Sequence, residues 1–296
     1  MSPSITHNNQ NPWTDDTLAA HAWDDLTIVN HMKDAARLAG AALAHQFSQR
    51  DTLEILHKGP SDFVSAADLQ AEQILLRHLR HSLPGVAFLG EETGASGQID
   101  APIRIVMDPL DGTNNFLHGI AHFSVALALM RGNLVTAGVV FNPLNEELYW
   151  AVRGHGAYLS ARMGERRLTG SRRQSLPEAV IGTCFPYHGK GDVEKCAAEM
   201  RRLMPHVSGV RSPGSAALEI AYVAEGRFDA FWSSGAKLDL WDIAAGIVIA
   251  EEAGCLASEI DGAGDALACR SLLVTAPQLQ AALIQALATN TQERAA

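Results

Sequence analysis

Ile103-Arg104-Ile105-Val106-Met107-Asp108-Pro109-Leu110-Asp111-Gly112-Thr113-Asn114-Asn115-Phe116 reads as a buried apolar strand that delivers two carboxylates into a tight turn. Pro109 presets φ, and Gly112 permits a positive φ or a close backbone approach. Asp, Pro and Gly are ordinary turn residues, so Asp111-Gly112 alone would be a decorated strand end. Three further acidic features compete with that plain reading. Val86 to Leu89 runs into Gly90-Glu91-Glu92-Thr93, and adjacent glutamates at a strand end repel each other unless solvated or metal-bound. Asp62-Phe63-Val64-Ser65-Ala66-Ala67-Asp68 puts an acid at a helix start, where dipole stabilisation is the structural alternative. Leu240-Trp241-Asp242 opens another helix with an acid, where an N-cap is the alternative. Together these acids describe an all-oxygen site for a hard divalent cation, with Mg²⁺ preferred. Several carboxylates in one cleft need compensating positive charge. Two metals about 3.5–4 Å apart would supply it and clamp a phosphoryl group.

Outward from this stretch, apolar periodicity predicts a helix from about Leu26 to Phe47 and a second from Ser65 to Leu83, with a loop at Lys58 to Ser61 between them. Val86–Leu89, Ile103–Met107, Phe123–Met130, Leu134–Phe141, Leu148–Val152 and Ala157–Ser160 read as strands of one sheet. After Leu176 helices (about Val193–Met204, Ser215–Glu225, Asp242–Ala253 and Pro277–Ala288) alternate with short strands (Ala179–Thr183, Phe228–Trp232 and Leu272–Thr275). Such alternation predicts an α/β layer with a mainly parallel sheet. The expected organisation is a polar, disordered tail over residues 1–16, a metal-binding α+β domain over 17–174 and a substrate-side α/β domain over 175–296.

The 296 residues are 47% hydrophobic and 19% charged, which excludes a disordered chain, a collagen-like fibre and a disulfide miniprotein. A formal charge of −10 argues against a nucleic-acid partner, which needs a basic face. The four cysteines form no C-x-x-C pair, which suits reduced thiols in a cytoplasmic protein. The polar start does not have the form of a signal peptide, and no apolar run is long enough for a membrane span. Arg162, Arg166, Arg167, Arg172 and Arg173 read as a solvated basic loop, with a partner contact as the sharper alternative. Competing motifs fail on spacing. A haloacid-dehalogenase nucleophile would stand where Pro109 stands, and an EF-hand would need oxygen side chains at Leu110 and Gly112. The P-loop pattern is absent around Gly189-Lys190-Gly191, and Cys184 reads as a packed thiol.

The same residues resemble the inositol monophosphatase family of Mg²⁺-dependent, typically lithium-sensitive phosphatases, from about Leu26 to Ala288. Lys58-Gly59-Pro60-Ser61-Asp62-Phe63-Val64-Ser65-Ala66-Ala67-Asp68 is similar to the family's first segment, and Gly90-Glu91-Glu92 to its acidic pair. The stretch from Asp108 to Phe116 is similar to its specific signature, and Trp241-Asp242-Ile243-Ala244-Ala245-Gly246 to its second one. The resemblance implies a layered αβαβα sandwich, its N-terminal sheet mainly antiparallel, and a homodimer. It implies two or three Mg²⁺ ions. Glu91, Asp108 and the Leu110 carbonyl would hold one. Asp108, Asp111 and Asp242 would hold another, with Asp108 bridging. Asp68 and Thr113 would orient the attacking water, with Glu92 and Lys58 outside the direct ligands. Asp111, Gly112, Thr113, Asn114, Gly214, Ser215 and Asp242 would contact phosphate or substrate. The implied activity is hydrolysis of a small sugar or polyol phosphate, inositol 1-phosphate foremost. Fructose 1,6-bisphosphate, histidinol phosphate, adenosine 3′,5′-bisphosphate and NADP are alternatives, and a regulatory binding module is a reading from another class. Two departures bear on substrate: Ser233 stands where an inositol-binding Glu is expected, and the stretch Ser234 to Leu240 is about two residues long for the family.

Overall fold

The computed structural model describes residues 23–49, 55–59, 62–98, 101–187, 190–268 and 270–288, with 55–65 described by backbone only. The tail expected over 1–16 and Cys269 lie outside the described residues. Helix α1 (Asp25–Phe47) starts where the Asp24 carboxylate accepts the Thr27 N–H at 2.7 Å. It buries Ile28, Met32, Ala35, Ala36, Ala39 and Leu43, one stripe at helical spacing. Strands β1 (Ile55–Gly59) and β2 (Asp62–Ser65) pair antiparallel, so the predicted loop at Lys58 is the end of a hairpin. Helix α2 (Ala66–Ser82) follows directly and packs its apolar stripe against α1.

The first sheet has eight strands. They are β3 (Ala87–Gly90), β4 (Gly94–Ser96), β5 (Ile103–Asp111), β6 (Ser124–Arg131), β7 (Leu134–Asn142), β8 (Glu147–Val152), β9 (Gly156–Ala161) and β10 (Gly164–Arg167). Their order is β10-β9-β8-β7-β6-β5-β3-β4, antiparallel except for the parallel β3/β5 pair. One irregularity matters to everything downstream. The β5/β6 register shifts between Asp108 and Asp111. Residues three apart on a regular strand face opposite sides of the sheet. The shift, at a proline that has no N–H to donate, lets both carboxylates enter one cleft.

The second sheet runs β12 (Gly209–Arg211), β11 (Val180–Thr183), β13 (Ala230–Ser233), β15 (Leu272–Thr275), β14 (Leu256–Ser258). It is mixed, which corrects the mainly parallel layer expected from sequence. β11 is parallel to both β12 and β13, whereas β15 is antiparallel to β13 and to β14. The helix after β13 crosses over to β14, which runs parallel to β13; β15 follows β14 without an intervening α-helix and enters between the two, antiparallel to both.

Helices α5 (Ala216–Glu225) and α6 (Leu240–Glu252) form the middle layer between the sheets. Helices α1 and α2 cover the outer face of the first sheet, and α4 (Val193–Leu203) and α7 (Gln280–Leu287) that of the second. A short helix, α3 (Thr113–His118), follows β5. The layered αβαβα sandwich is therefore present. No described helix is long and apolar enough to cross a membrane.

The arginine-rich segment is not a free basic loop. Residues 164–167 form the edge strand β10, Arg162 pairs with Glu146 at 2.8 Å, Arg166 with Glu225, and Arg173 with the buried Asp229 at 3.1 Å. Three of its five arginines are engaged by carboxylates of the same chain, which draws charge away from an outside partner.

Close approach of α6 to the first sheet depends on Gly138 in β7. A Cβ there would lie 2.6 Å from the Ala245 carbonyl oxygen and 2.7 Å from Val248 Cγ1. Gly138→Ala should lower stability by about 1–3 kcal/mol, since backbone cannot yield as a side chain does. Urea unfolding should show a lower midpoint at unchanged m; an unchanged midpoint would mean the sheet and α6 separate freely.

Candidate active site

A cavity of about 580 Å³ opens where the end of β5 meets the starts of α5 and α6. Asp108, Asp111 and Asp242 form its floor, each placing a carboxylate oxygen within 4.8 Å of the others. Glu91 also lines it, as do Leu110, Gly112, Thr113, Asn114 and Gly214. Five elements far apart in sequence thus supply one concave surface.

Each aspartate is held by backbone. Asp108 Oδ1 accepts the Leu110 N–H at 2.9 Å, the local turn that Pro109 enforces. Asp111 is seated at the N-terminus of α5. Its Oδ2 accepts Ser215 Oγ at 2.5 Å, the Ala217 N–H at 2.9 Å and Ser124 Oγ at 3.3 Å, and its Oδ1 the Ala216 N–H at 3.2 Å. Asp242 is at the third position of α6. Its Oδ2 accepts the Asp239 N–H at 2.6 Å, so Asp239 rather than Asp242 is the N-cap, and the helix begins at Leu240.

Burial pushes all three acids upward, and repulsion from neighbouring carboxylates adds to it at Asp108 and Asp242. For Asp108 burial comes first, followed by the charges of Glu91, Asp111 and Asp242. Asp242 is raised well above the usual range by burial and by Asp111. Asp111 is raised only to about 6, because its four donors oppose the burial. Bare, the trio cannot ionise fully at neutral pH. The donor set fits a hard divalent cation: oxygen atoms only, on one floor, in need of positive charge. Asp111 Oδ1, with one hydrogen bond, is the freer of that residue's two oxygens.

Thr113 stands beside the floor at the start of α3. Its hydroxyl lies 2.9 Å from Asp68 Oδ1 and 3.1 Å from the Leu110 carbonyl, and its one proton can serve either acceptor. Asp68, on α2, is buried behind Thr113 and does not line the cavity. Gly112 caps α3 at φ 99°, and a Cβ there would come 3.0 Å from the Gly214 oxygen. This closeness ties the signature to the loop before α5. Asn115 strengthens the tie by donating to the His122 and Pro213 carbonyls, both at 2.7 Å.

Other expected residues lie elsewhere. Ser215 is fully buried and turns its hydroxyl to Asp111, not into the cavity. Its loop is braced by buried Glu219, whose Oε1 accepts the Gly214 N–H at 2.8 Å and the Ser215 N–H at 3.3 Å. Burial pushes Glu219 up to about 8. Glu92 is not on the wall, and Lys58 is placed only by its backbone in β1. Ser233 is buried at the end of β13, off the wall, with no hydrogen-bond partner for its hydroxyl among the described residues. The longer stretch after it does reach the wall, through Ala236, Lys237, Leu238 and Asp239. Lys237 in that stretch borders the cavity, and so do Lys190, Tyr187 and His118, which sequence reasoning missed. No local pattern marks a loop lysine as facing a cleft that distant segments build. Cys184 lines the cavity, with its thiol pushed upward by burial.

The family model for inositol monophosphatases matches residues 24–292. The chain belongs to the inositol monophosphatase family. It is 44% identical over 259 residues to an inositol-1-monophosphatase of Mesorhizobium japonicum, spanning 88% of this chain and 95% of that one. It is 39% identical over 245 residues to the Nus factor SuhB of Pseudomonas aeruginosa, spanning 81% and 88%. The solved extragenic suppressor protein suhB from Bartonella henselae superposes with a TM-score of 0.84 at 38% identity, covering 89% of this chain and 99% of that one. Relatives with this fold thus carry two different names.

Repulsion on the floor makes a prediction for the metal-free protein. Asp108→Asn removes one buried charge and keeps the acceptor for Leu110. In EDTA at pH 8 its Tm should exceed that of the unsubstituted protein. Added Mg²⁺ should raise the latter's Tm, because a ligand that binds only the folded state stabilises it, and leave the variant's almost unmoved. A variant that melts lower in EDTA would show that the trio does not repel.

Proposed function

We propose that the chain is a Mg²⁺-dependent phosphomonoesterase for a small sugar or polyol phosphate, with inositol 1-phosphate the foremost substrate. The observation that carries the reading is the Thr113–Asp68 pair at 2.9 Å beside the three aspartates. A fold that merely stored a cation would need the acids but not this pair.

In this reading Glu91, Asp108 and the Leu110 carbonyl hold one ion, and Asp108, Asp111 and Asp242 a second. Bound Mg²⁺ supplies positive charge against the carboxylates and the phosphate oxygens and acidifies the attacking water. The protein does the rest by position. Thr113 gives its proton to Asp68 Oδ1, so a lone pair on Thr113 Oγ1 faces the cavity and accepts a hydrogen bond from the water. As the water oxygen bonds to phosphorus, its proton passes toward Asp68 through Thr113 Oγ1. Backbone amides from Gly112 to Asn114 hold the phosphate oxygens. The P–O bond to the alcohol breaks, and the leaving oxygen departs on the side of Asp242, Gly214 and Ala216, where it takes a proton from a solvent water in the cavity; the proton held at Asp68 returns to solvent. The products are the alcohol and inorganic phosphate. A homodimer and a cytoplasmic setting accompany this reading through the family resemblance.

A second reading keeps the chemistry and changes the substrate. Lys190 and Lys237 on the wall favour a leaving group that carries its own anion, such as a sugar bisphosphate.

Phosphate release from inositol 1-phosphate, fructose 1,6-bisphosphate, histidinol phosphate, adenosine 3′,5′-bisphosphate and NADP separates the two. Turnover should require Mg²⁺ and vanish in EDTA. No turnover of any of them by folded, metal-loaded protein would sink the proposal. Replacing both lysines with Met should raise KM for a bisphosphate and leave KM for inositol 1-phosphate near its starting value. Thr113→Ala should lower kcat by about 10²–10⁴-fold, the usual worth of positioned proton transfer, with Mn²⁺ binding retained. A loss of kcat below tenfold would remove Thr113 from the reaction.

A further inference from the structure

Asp68 has a counterpart one helical turn later. Glu72, four residues on in α2, is fully buried and does not line the cavity. Its carboxylate receives three hydrogen bonds from the turn that follows Glu91. Oε2 accepts the Glu92 N–H at 2.9 Å, and Oε1 accepts the Thr93 N–H at 3.0 Å and the Thr93 hydroxyl. Gly90 makes the approach possible. A Cβ at that position would lie 2.6 Å from both Cδ and Oε2 of Glu72. On the other side the Glu91 N–H donates to the Met107 carbonyl at 3.1 Å, next to Asp108. Glu91 is thereby pinned between β5 and a buried carboxylate, at a point where β3 has ended and no ladder continues to hold it.

A buried acid accepting three donors in one turn is more than a helix needs. We propose that Glu72 is a positioning residue for the metal site: it fixes the backbone of Glu91 so that this carboxylate stays beside Asp108. Asp68 and Glu72 then share one rigid helix and hold the two sides of the site in register, Asp68 through Thr113 and Glu72 through the turn at Glu91. This inference rests on the reading of Glu91 as a metal ligand. Residues behind metal ligands commonly change affinity by about 10–100-fold when altered.

The test measures Mn²⁺ affinity by electron paramagnetic resonance on the full chain, and beside it the Mg²⁺ dependence of phosphate release. Glu72→Gln keeps the size but turns an NH₂ group toward backbone donors. It should bind Mn²⁺ about 10–100-fold more weakly. Its kcat should recover to within about twofold at saturating Mg²⁺, a split that simple loss of folded protein cannot produce. Glu199→Gln is the control for a buried carboxylate elsewhere; Glu199 accepts the Trp232 indole N–H at 3.0 Å in the second-sheet half of the molecule, and this variant should leave Mn²⁺ affinity unchanged. If Glu72→Gln does not fold, Thr93→Val decides. It removes one of the three donors and should weaken Mn²⁺ binding about threefold to fivefold. Wild-type Mn²⁺ affinity in Glu72→Gln, or in Thr93→Val when that variant is the one that folds, overturns the proposal. Glu91→Gln separates the two levels. Undiminished binding there defeats the ligand assignment itself, whereas weakened binding there with normal binding in Glu72→Gln defeats only the positioning role.

Discussion

Like charges gathered in one cleft disfavour each other's ionised forms, and the molecule is organised around three aspartates so gathered. Asp108, Asp111 and Asp242 come within 4.8 Å of one another, the first two buried and the third half-buried. Their burial alone disfavours the ionised forms, and their proximity adds to the penalty. Such a cluster persists only when the surrounding structure is stable enough to enforce it. Here the first sheet and the middle helix layer supply that stability, and the cluster lies at the seam where they meet. The penalty is also what makes the cleft receptive to a divalent cation, since the first positive charge to enter relieves every acid at once.

Enforcement is uneven, and the unevenness is informative. Asp111 receives four hydrogen bonds and stands at the positive end of α5, so its charge is partly compensated by protein. Asp108 receives one from its own turn, and Asp242 one from its helix cap. The compensation deepens from strand to helix N-terminus because α5 brings several free N–H groups and β5 only that of Leu110. Glycines set the distances. Gly112 permits contact with the loop at Gly214, Gly138 lets α6 approach the first sheet, and Gly90 admits the Glu72 carboxylate. Each replaces a side chain with direct backbone or carboxylate contact, and each such contact positions an acid of the site or the segment that carries one.

The substrate side is built on another plan. Its wall comes from connections rather than elements: residues 184–187 with Lys190, Ser212 and Gly214, and the stretch from Ala236 to Asp239. Connections vary in length without disturbing the layers. The stretch from Ser234 to Asp239 illustrates this, since it joins β13 to α6 and carries Lys237 at the cavity wall. Acids and cations are therefore placed separately in this cavity, the acids on strands and helix starts and the cations on loops.

Local pattern and motif determined much by themselves. The strand at Ile103, the helix stripes of α1 and α2 and the alternation after Leu176 were legible because periodicity and strand-end punctuation are short-range properties. The acids were legible because four of them sit in recognisable strings. Register and spatial neighbourhood were not. The shift between Asp108 and Asp111 arises from pairing with β6, and β15 is antiparallel because the chain returns from β14 to pair between it and β13. Ser215 looked like a substrate contact. Only the docking of α5 against β5 turned its hydroxyl to Asp111, 104 residues away in sequence. No local signal sets Glu72 apart from the other polar residues of α2; β3 brings Gly90 against it. Local sequence determines which residues can bend, pair or ionise, because those properties belong to a few consecutive residues. Tertiary structure decides which of them meet, because burial and electrostatics depend on neighbours that the chain supplies from far away.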